Sequence, residues 1–354
     1  MTGTPRRAAP TLEAVAARAG VSRATAGRVL AGSGRVNEPA RRAVLTAAEE
    51  LAYVTNHAAR SLMTRRSDSV AFVVAESEDR FFADPFFAAL LRGVHRVVAE
   101  HDRQLTFIVT SGEDDRRKLE RFAAGGHVDG VMLVSLHGAD PLPGRLRRSG
   151  VPVVVCGRPP VSDPPVAHVD ADNVGGSRLA TRHLLDLGAR HIVHVAGPAD
   201  TTVAQDRLLG FRAELATAMT AADDGWPAVV DRDVVVRGDF SVESGRAAMG
   251  VLLARRPELD GVVAASDLMA IGAIQALESA GRRVPDDVAV VGFDDVPIAE
   301  SARPPLTTIR QPLDAMGVRL AQLLLDVIDG TDGNGGNDAA SVVLPTELVR
   351  RASA

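Results

Sequence analysis

The sequence predicts a small all-α head followed by a larger α/β core made of two doubly wound, parallel-sheet lobes. Three observations carry that expectation. Between Thr11 and Leu51 the apolar residues recur at helical spacing in three short segments. From Ser69 onward, short apolar runs alternate with amphipathic stretches of helical period, the order of a parallel sheet covered on both faces. The charge divides at the same place. Residues 1–66 hold eleven arginines against four glutamates, leaving 29 basic and 41 acidic side chains for the rest. A basic head on an acidic body implies that only the head meets a polyanion.

In the head, Leu12, Val15, Ala16 and Ala19 mark the buried face of a first helix. Gly20 breaks it, Val21 plugs the turn, and Ser22 stands where an N-cap belongs. A second helix follows, with Ala26, Val29 and Leu30 inward and Arg23, Ala24, Gly27 and Arg28 outward. Two short helices joined by a glycine-containing turn read as a helix-turn-helix, whose second helix would carry its arginines to phosphates and guanine edges. A plain helical hairpin with a solvated charged face has the same pattern. Asn37 and Pro39 open a third helix, and Ala40, Val44, Ala47, Ala48 and Leu51 would close a three-helix core. Residues 1–10 read as a disordered arm and 11–55 as the head. Within 56–68, residues 56–63 are too short to hold a helix alone, and 64–68 form a linker.

In the core, strands are expected at Val70–Ala75, Gln104–Val109, Gly130–Val134 and Val151–Cys156, with amphipathic segments at 86–101, 114–124 and 142–149 between them. A second series runs through helix 174–187, strand 190–196, helix 203–219, strand 233–236, helix 241–254, strand 260–264, helix 267–280 and strand 287–292. Two such units imply two lobes with a cleft between them, where ligands bind at the carboxyl ends of the strands. Residues 329–340 are a Gly/Asp/Asn-rich loop.

These segments resemble the LacI/GalR, or lactose-repressor-like, family of bacterial transcription regulators. The likeness rests on VSRATAGRVL and LAYVTNHAARSL in the head. In the core it rests on ADNVGGSRLATRHLLDLGARHIVHVAGP, DRLLGFRAEL, SDLMAIGAIQAL, VPDDVAVVGFDD and PPLTTIRQP, so it runs from about Thr11 to Arg350. The resemblance implies a core of the periplasmic-binding-protein type in which the chain crosses between lobes three times, near 160–166, 308–313 and 337–341. Lobe 1 would then hold 69–162 and 311–338, with helix 313–328 returning to it, and lobe 2 would hold 163–310 and 339–354. It also implies that 56–63 is a hinge helix ordered only when two subunits lie side by side on DNA.

By the same resemblance Thr11, Ser22, Thr25, Tyr53 and Asn56 occupy phosphate-contacting positions, which set register without reading sequence. Arg23, Ala24 and Arg28 occupy base-reading positions, and arginine bonds bidentately to guanine. Gly27 replaces a residue that usually carries a hydroxyl, and glycine costs helix stability. Leu62, with Ala59 beside it, matches a leucine that wedges into a minor-groove step; a linker leucine packed on the core is the alternative. In the cleft, Arg207 and Asp294 align with residues that hold effector hydroxyls or polar edges, although a buried opposite pair also serves structure alone. Phe240 lies where the family places an aromatic platform. Phe86 and Phe87 fall at another effector position or in the core. Ser266 and Gln311 are further polar candidates, and Arg158 would add a positive charge to the pocket.

Other classes find little in the sequence. A single cysteine, Cys156, excludes a disulfide framework and fits a reducing cytoplasm. The N-terminal stretch has no apolar core of a signal peptide, and no apolar run approaches membrane-spanning length. The only lysine, Lys118, precedes Leu119, so no phosphate loop exists, and nucleophile-elbow and zincin motifs are missing. His191 and His194 would point to opposite faces of a strand, a poor metal pair. The reading is a cytoplasmic, homodimeric regulator of double-stranded DNA with a pseudo-palindromic operator, most simply a repressor. It has no cofactor and no enzymatic activity, and a small effector, a sugar or sugar derivative, sits in its cleft. A nucleobase-type corepressor, a protein partner, or a solute-binding protein without DNA function are the rivals.

Overall fold

Thr11 accepts the Ala14 N–H at 3.3 Å and starts α1, Leu12–Arg18. The structure, a computed structural model, describes residues 10–30, 36–53, 66–159, 165–221, 231–331 and 340–354. The chain falls into two compact units, Met1–Asp68 and Ser69–Ala354. In the first, Gly20 takes a φ of +66°, open to glycine at no steric cost, and turns the chain out of α1. Ser22 then caps α2, Arg23–Leu30, by accepting the Thr25 N–H at 3.2 Å. Asn37 caps α3, Glu38–Glu50, through the Ala40 N–H at 2.9 Å. Val15, Ala16, Ala26, Val29, Val44, Ala47 and Ala48 are buried together, with Leu12, Ala19, Leu30, Leu51 and Tyr53 packed around them. Ala40 is only half-buried. The expected arm at 1–10 and hinge helix at 56–63 lie, but for Pro10, outside the described residues.

The core holds two six-stranded sheets. In the first, β1 (Ser69–Val74), β2 (Gln104–Val109), β3 (Gly130–Val134), β4 (Val153–Cys156), β5 (Ala167–Ala171) and β11 (Ser341–Leu344) lie in the order β11-β5-β4-β3-β1-β2, every pair parallel. In the second, β6 (Ile192–Ala196), β7 (Val235–Arg237), β8 (Gly261–Ala264), β9 (Ala289–Asp294), β10 (Thr307–Arg310) and β12 (Glu347–Val349) lie in the order β12-β10-β9-β8-β6-β7, parallel except for β10 with β12. Alternate residues of β1 face opposite layers: Val70, Phe72 and Val74 meet one cluster, Ala71 and Val73 the other. That is why its sequence is an unbroken apolar run.

The pairing corrects the expected lobe boundaries. β5 pairs with β4, and β11 with β5, so residues 167–171 and 341–344 belong to the first lobe instead of the second. The chain therefore crosses after Ala171, after Arg310 and after Leu344. Apolar alternation in a five-residue strand says nothing about which sheet it joins, which is why the sequence misplaced the first and third crossings. Short elements were also unread: the helices Glu78–Ala83 (α4) and Pro297–Ser301, and strands β5, β10, β11 and β12. A helical turn, Asp231–Val234, replaces the start of the strand expected at 233. Of the 329–340 loop, Asp329 ends a helix, Gly330 closes it at φ +69°, and 332–339 lie outside the described residues.

Helices α5 (Pro85–Glu100) and α14 (Leu313–Asp329) cover one face of the first sheet and cross closely, because neither has a side chain at the crossing. A β-carbon on Gly93 would stand 2.1 Å from the Asp314 carbonyl oxygen, and one on Gly317 2.1 Å from that of Leu90. Both obstacles are backbone and cannot rotate away. Gly93→Ala is expected to destabilise the core by about 1–3 kcal/mol or more, read as a lower melting temperature. Gly27→Ala in α2, where a β-carbon meets only a Leu12 methyl at 3.7 Å, should instead stabilise the head by about 0.5–1 kcal/mol. Equal effects from the two would contradict this account of the crossing.

Candidate functional sites in the head and the cleft

On the head, Thr11, Ser22, Arg23, Ala24 and Arg28 are exposed, and Thr25 and Tyr53 half-buried. Thr11 and Ser22 sit at the starts of α1 and α2, where unpaired backbone N–H groups and the helix dipole favour anions. Arg28 leans back along its helix, its Nε donating to the Ala24 carbonyl at 3.3 Å. Arg23 is held by Glu13 at 2.9 Å, with both side chains more than half exposed. An exposed pair of this kind is worth little and is readily exchanged for another anion. Asn56, Ala59 and Leu62 lie outside the described residues.

Between the lobes lies a cleft enclosing roughly 790 Å³ of space, part of it open solvent. Phe86, Phe87, Arg158, Arg207, Phe240, Ser266, Asp294 and Gln311, far apart in sequence, all line it. Arg207 lines it from α9 (Thr202–Ala221), held through Nε and Nη1. Its Nε donates to Asn173 Oδ1 at 2.9 Å, its Nη1 to the Ala265 carbonyl at 2.5 Å, and the same nitrogen lies 3.3 Å from Asp294 Oδ1. The guanidinium carbon sits 3.8 Å from the centroid of the Phe293 ring. Burial pulls the Arg207 pKa down, and Asp294, Asp170 and Asp267 pull it back up.

Asp294 ends β9 with φ +116°, a strained value for a residue with a side chain, and receives the Gln311 amide at 2.5 Å. Burial pushes its carboxyl up to about 7, against the lowering effect of Arg207. Behind it Asp267 is buried, its pKa raised by burial and by Asp294, while accepting the Val296 N–H at 2.9 Å and the Thr308 hydroxyl at 2.5 Å. Asp267 therefore fixes the turn that aims Asp294 into the cleft.

The remaining candidates divide. Phe87 is 1% exposed and belongs to the first lobe's core, touching the cleft only as floor. Phe86 stands edge-on to it at 5.4 Å. Phe240 lines the second-lobe side at φ +68°. The Ser266 hydroxyl is engaged as the cap of the helix Asp267–Ser279, accepting the Met269 N–H at 3.2 Å. Arg158 lines the cleft as a partly exposed side chain paired with Asp206 at 2.7 Å. His194 is buried, with Nδ1 2.8 Å from the Val263 carbonyl and its ring stacked on Phe211, and burial pushes its pKa down to about 4. Among the described residues no cluster of three metal-ligating side chains occurs.

Several lining residues escaped the sequence reading: Arg80, Asp84, Asp170, Thr201 and Thr202. Asp84 accepts the Phe86 N–H at 3.0 Å, so Asp84-Pro85 was a legible helix cap at the cleft edge. Asp170 lies near the carboxyl end of β5, where open sheets bind ligands, but β5 itself was unread. Asp170 takes N–H groups from Ala171, Arg158 and Asn173, and burial raises its pKa.

Two families match the chain: one described as bacterial regulatory proteins of the lacI family, over residues 11–56, and one as a periplasmic binding protein-like domain, over 181–354. The HTH-type transcriptional regulator CelR of Thermobifida fusca is 46% identical, covering 98% of this chain and 99% of its own length. A ribose operon repressor of Halalkalibacterium halodurans is 33% identical over 96% of each chain. Among solved structures, a complex of the transcriptional regulator CelR with cellobiose superposes with a TM-score of 0.75 at 44% identity, covering 98% of this chain and all of that one. A lac repressor dimer bound to operator and an anti-inducer gives 0.80 at 26% identity, covering 97% of this chain and 98% of that one.

A carboxyl whose folded-state pKa lies above its unfolded value stabilises the fold fully below the ordinary carboxylate range. That contribution is lost as the pH rises to about 7. The wild-type chain should therefore gain stability relative to Asp294→Asn as the pH falls from about 7 towards about 4, read as the difference between their melting temperatures. A difference that stays constant across this window would mean that Asp294 remains ionised throughout.

Proposed function

The chain belongs to the lacI family of bacterial regulatory proteins, and from that premise we propose a cytoplasmic, homodimeric repressor released from its operator by a neutral saccharide bound between the lobes. It is a DNA-binding transcription regulator, not an enzyme, and the head carries the operator contacts. Thr11, Ser22, Thr25, Tyr53 and Asn56 would hold phosphates; Arg23, Ala24 and Arg28 would read bases; Ala59 and Leu62 would open the minor groove.

The observation that carries the effector reading is the composition of the cleft. Its cations are already matched by carboxylates, and Phe86 and Phe240 share the lining with them, Phe240 largely buried beneath Arg80. An anionic ligand would meet Asp84, Asp170 and Asp294. A polyol both donates and accepts, and its apolar ring faces suit the aromatics. Cellobiose, the sugar in the CelR complex, has this chemistry and is the first compound to test. A ligand touching both lobes favours one interlobe angle, and it shifts the balance only by its difference in affinity for the two states. The chain enters the core at Ser69, the first residue of β1 in the first lobe, so a change of lobe angle moves the point from which 56–68 departs.

Two measurements test this. Arg28→Ala should lose about 1–3 kcal/mol of specific operator affinity and relax preference at one base pair. Unchanged binding would mean that α2 does not read bases. Asp294→Ala should still bind operator but no longer respond to cellobiose at concentrations that release the wild type. A normal response in that variant would overturn the placement of the effector.

A further inference from the structure

Two side chains of the first lobe cross the cleft and fasten on the second, and one carboxylate holds both. Arg80, on α4 (Glu78–Ala83), donates from Nη1 to the Asp239 carbonyl at 2.5 Å, and its guanidinium lies 4.8 Å from the centroid of the Phe240 ring. His137, in the loop after β3, places Nδ1 3.1 Å from Asp200 Oδ2 in the loop after β6, and the Gly138 N–H reaches the Asp200 carbonyl at 2.8 Å. On the first-lobe side, Glu76 Oε1 lies 3.0 Å from His137 Nε2 and 3.3 Å from Arg80 Nε, and takes the Ser135 hydroxyl at 2.6 Å. Glu76 is buried, with 9% of its side chain exposed.

The chemistry of His137 follows from its neighbours. An ionised carboxylate only accepts, and a neutral imidazole has a single N–H. Two ionised carboxylates, one on each ring nitrogen, therefore favour the doubly protonated imidazolium. The charged and titratable groups facing it are Glu76 from the segment after β1 and Asp200 from the second lobe. Arg80 acts on it only through Glu76, and Asp84 lies beyond, 4.0 Å from Arg80.

We propose that Glu76 positions Arg80 and His137 as a proton-operated latch: Glu76 and His137 share the first lobe, so it is the contact with Asp200, made on closure, that lets the closed pair of lobes hold the His137 proton more tightly than the open pair. Deepening the effector reading above and resting on it, the latch makes the grip on the saccharide tighten as the solution becomes more acid. The directions agree with the geometry. The Glu76 hydrogen bond raises the His137 pKa, outweighing burial, with Asp200 adding to the rise. Burial raises Glu76, but His137, Arg80 and Ser135 together bring it below its ordinary value. A histidine whose pKa is raised by closure favours closure fully below its open-state pKa and loses that effect as the pH rises through its closed-state pKa. With a single proton involved, the effect is at most about tenfold in affinity per pH unit. The contacts of Arg80 with Asp239 and Phe240 do not pass through His137, so they are the part of the latch independent of its proton.

The test uses the full-length protein. Its first arm needs no ligand: the His137 imidazole is titrated by NMR and assigned with His137→Gln. Expected is a pKa above the ordinary histidine range that falls back towards it in Asp200→Asn, a change in an exposed loop of the other lobe. A His137 pKa that is ordinary in the wild type, or unmoved by Asp200→Asn, overturns the latch. The second arm measures cellobiose affinity by calorimetry between about pH 5.5 and 9. Affinity should rise on acidification through the His137 titration in the wild type and stay flat in Asp200→Asn. The same pH profile in both proteins also overturns the latch. Failure of cellobiose to bind at any pH refutes the effector reading instead, and the latch is then decided by the first arm.

Discussion

A guanidinium with almost no access to water is the constraint around which the core is arranged. Leaving Arg207 unpaired at that depth would be strongly destabilising, so its surroundings are committed to it. Asn173 at the start of one helix, Ala265 at the end of β8, Asp294 at the end of β9 and the ring of Phe293 all converge on one side chain. These groups come from separate strand ends, so holding Arg207 also registers the strand ends of the second lobe against each other. The strained backbone at Asp294 is tolerated because Asp267 and Gln311 hold the turn from two further directions. A ligand that meets Arg207 thus meets a group whose position is already determined, and little ordering is left for binding to accomplish.

The lobes differ in how they contribute to the cleft. The second presents a rigid polar centre. The first presents aromatic rings at a helix start and two side chains that reach across.

Legibility tracked the length over which a physical signal could accumulate. The three helices of the head were readable because caps and apolar spacing agree over seven residues or more, as with Ser22, Asn37 and the Val44–Ala47–Ala48 face. The eight cleft candidates came from motif resemblance; the fold brings them to one cavity, while their roles rest on the proposal. Arg80 was missed because Glu78–Ala83 is too short to show a period, and its partners lie about 160 residues away. The crossings were displaced because strand pairing is a long-range choice. Val154 and Ala167 are neighbours in a sheet, and nothing local to either records it. Arg158 shows a further limit: its charge was visible, but its neutralisation by Asp206 was not.

The return of α14 and β11 to the first lobe also bears on the order in which the protein is made. As the chain emerges, the head is complete by about residue 53, whereas the first sheet lacks its edge until Leu344 and the second lacks its own until Val349. Both lobes therefore finish within a few residues of one another, after most of the first sheet has waited with α14 missing from one face. Domains tend to fold as units as they leave the ribosome. Here the basic head precedes the last strands of the core by nearly three hundred residues of synthesis, so a nascent or prematurely terminated chain would carry the head without a complete core.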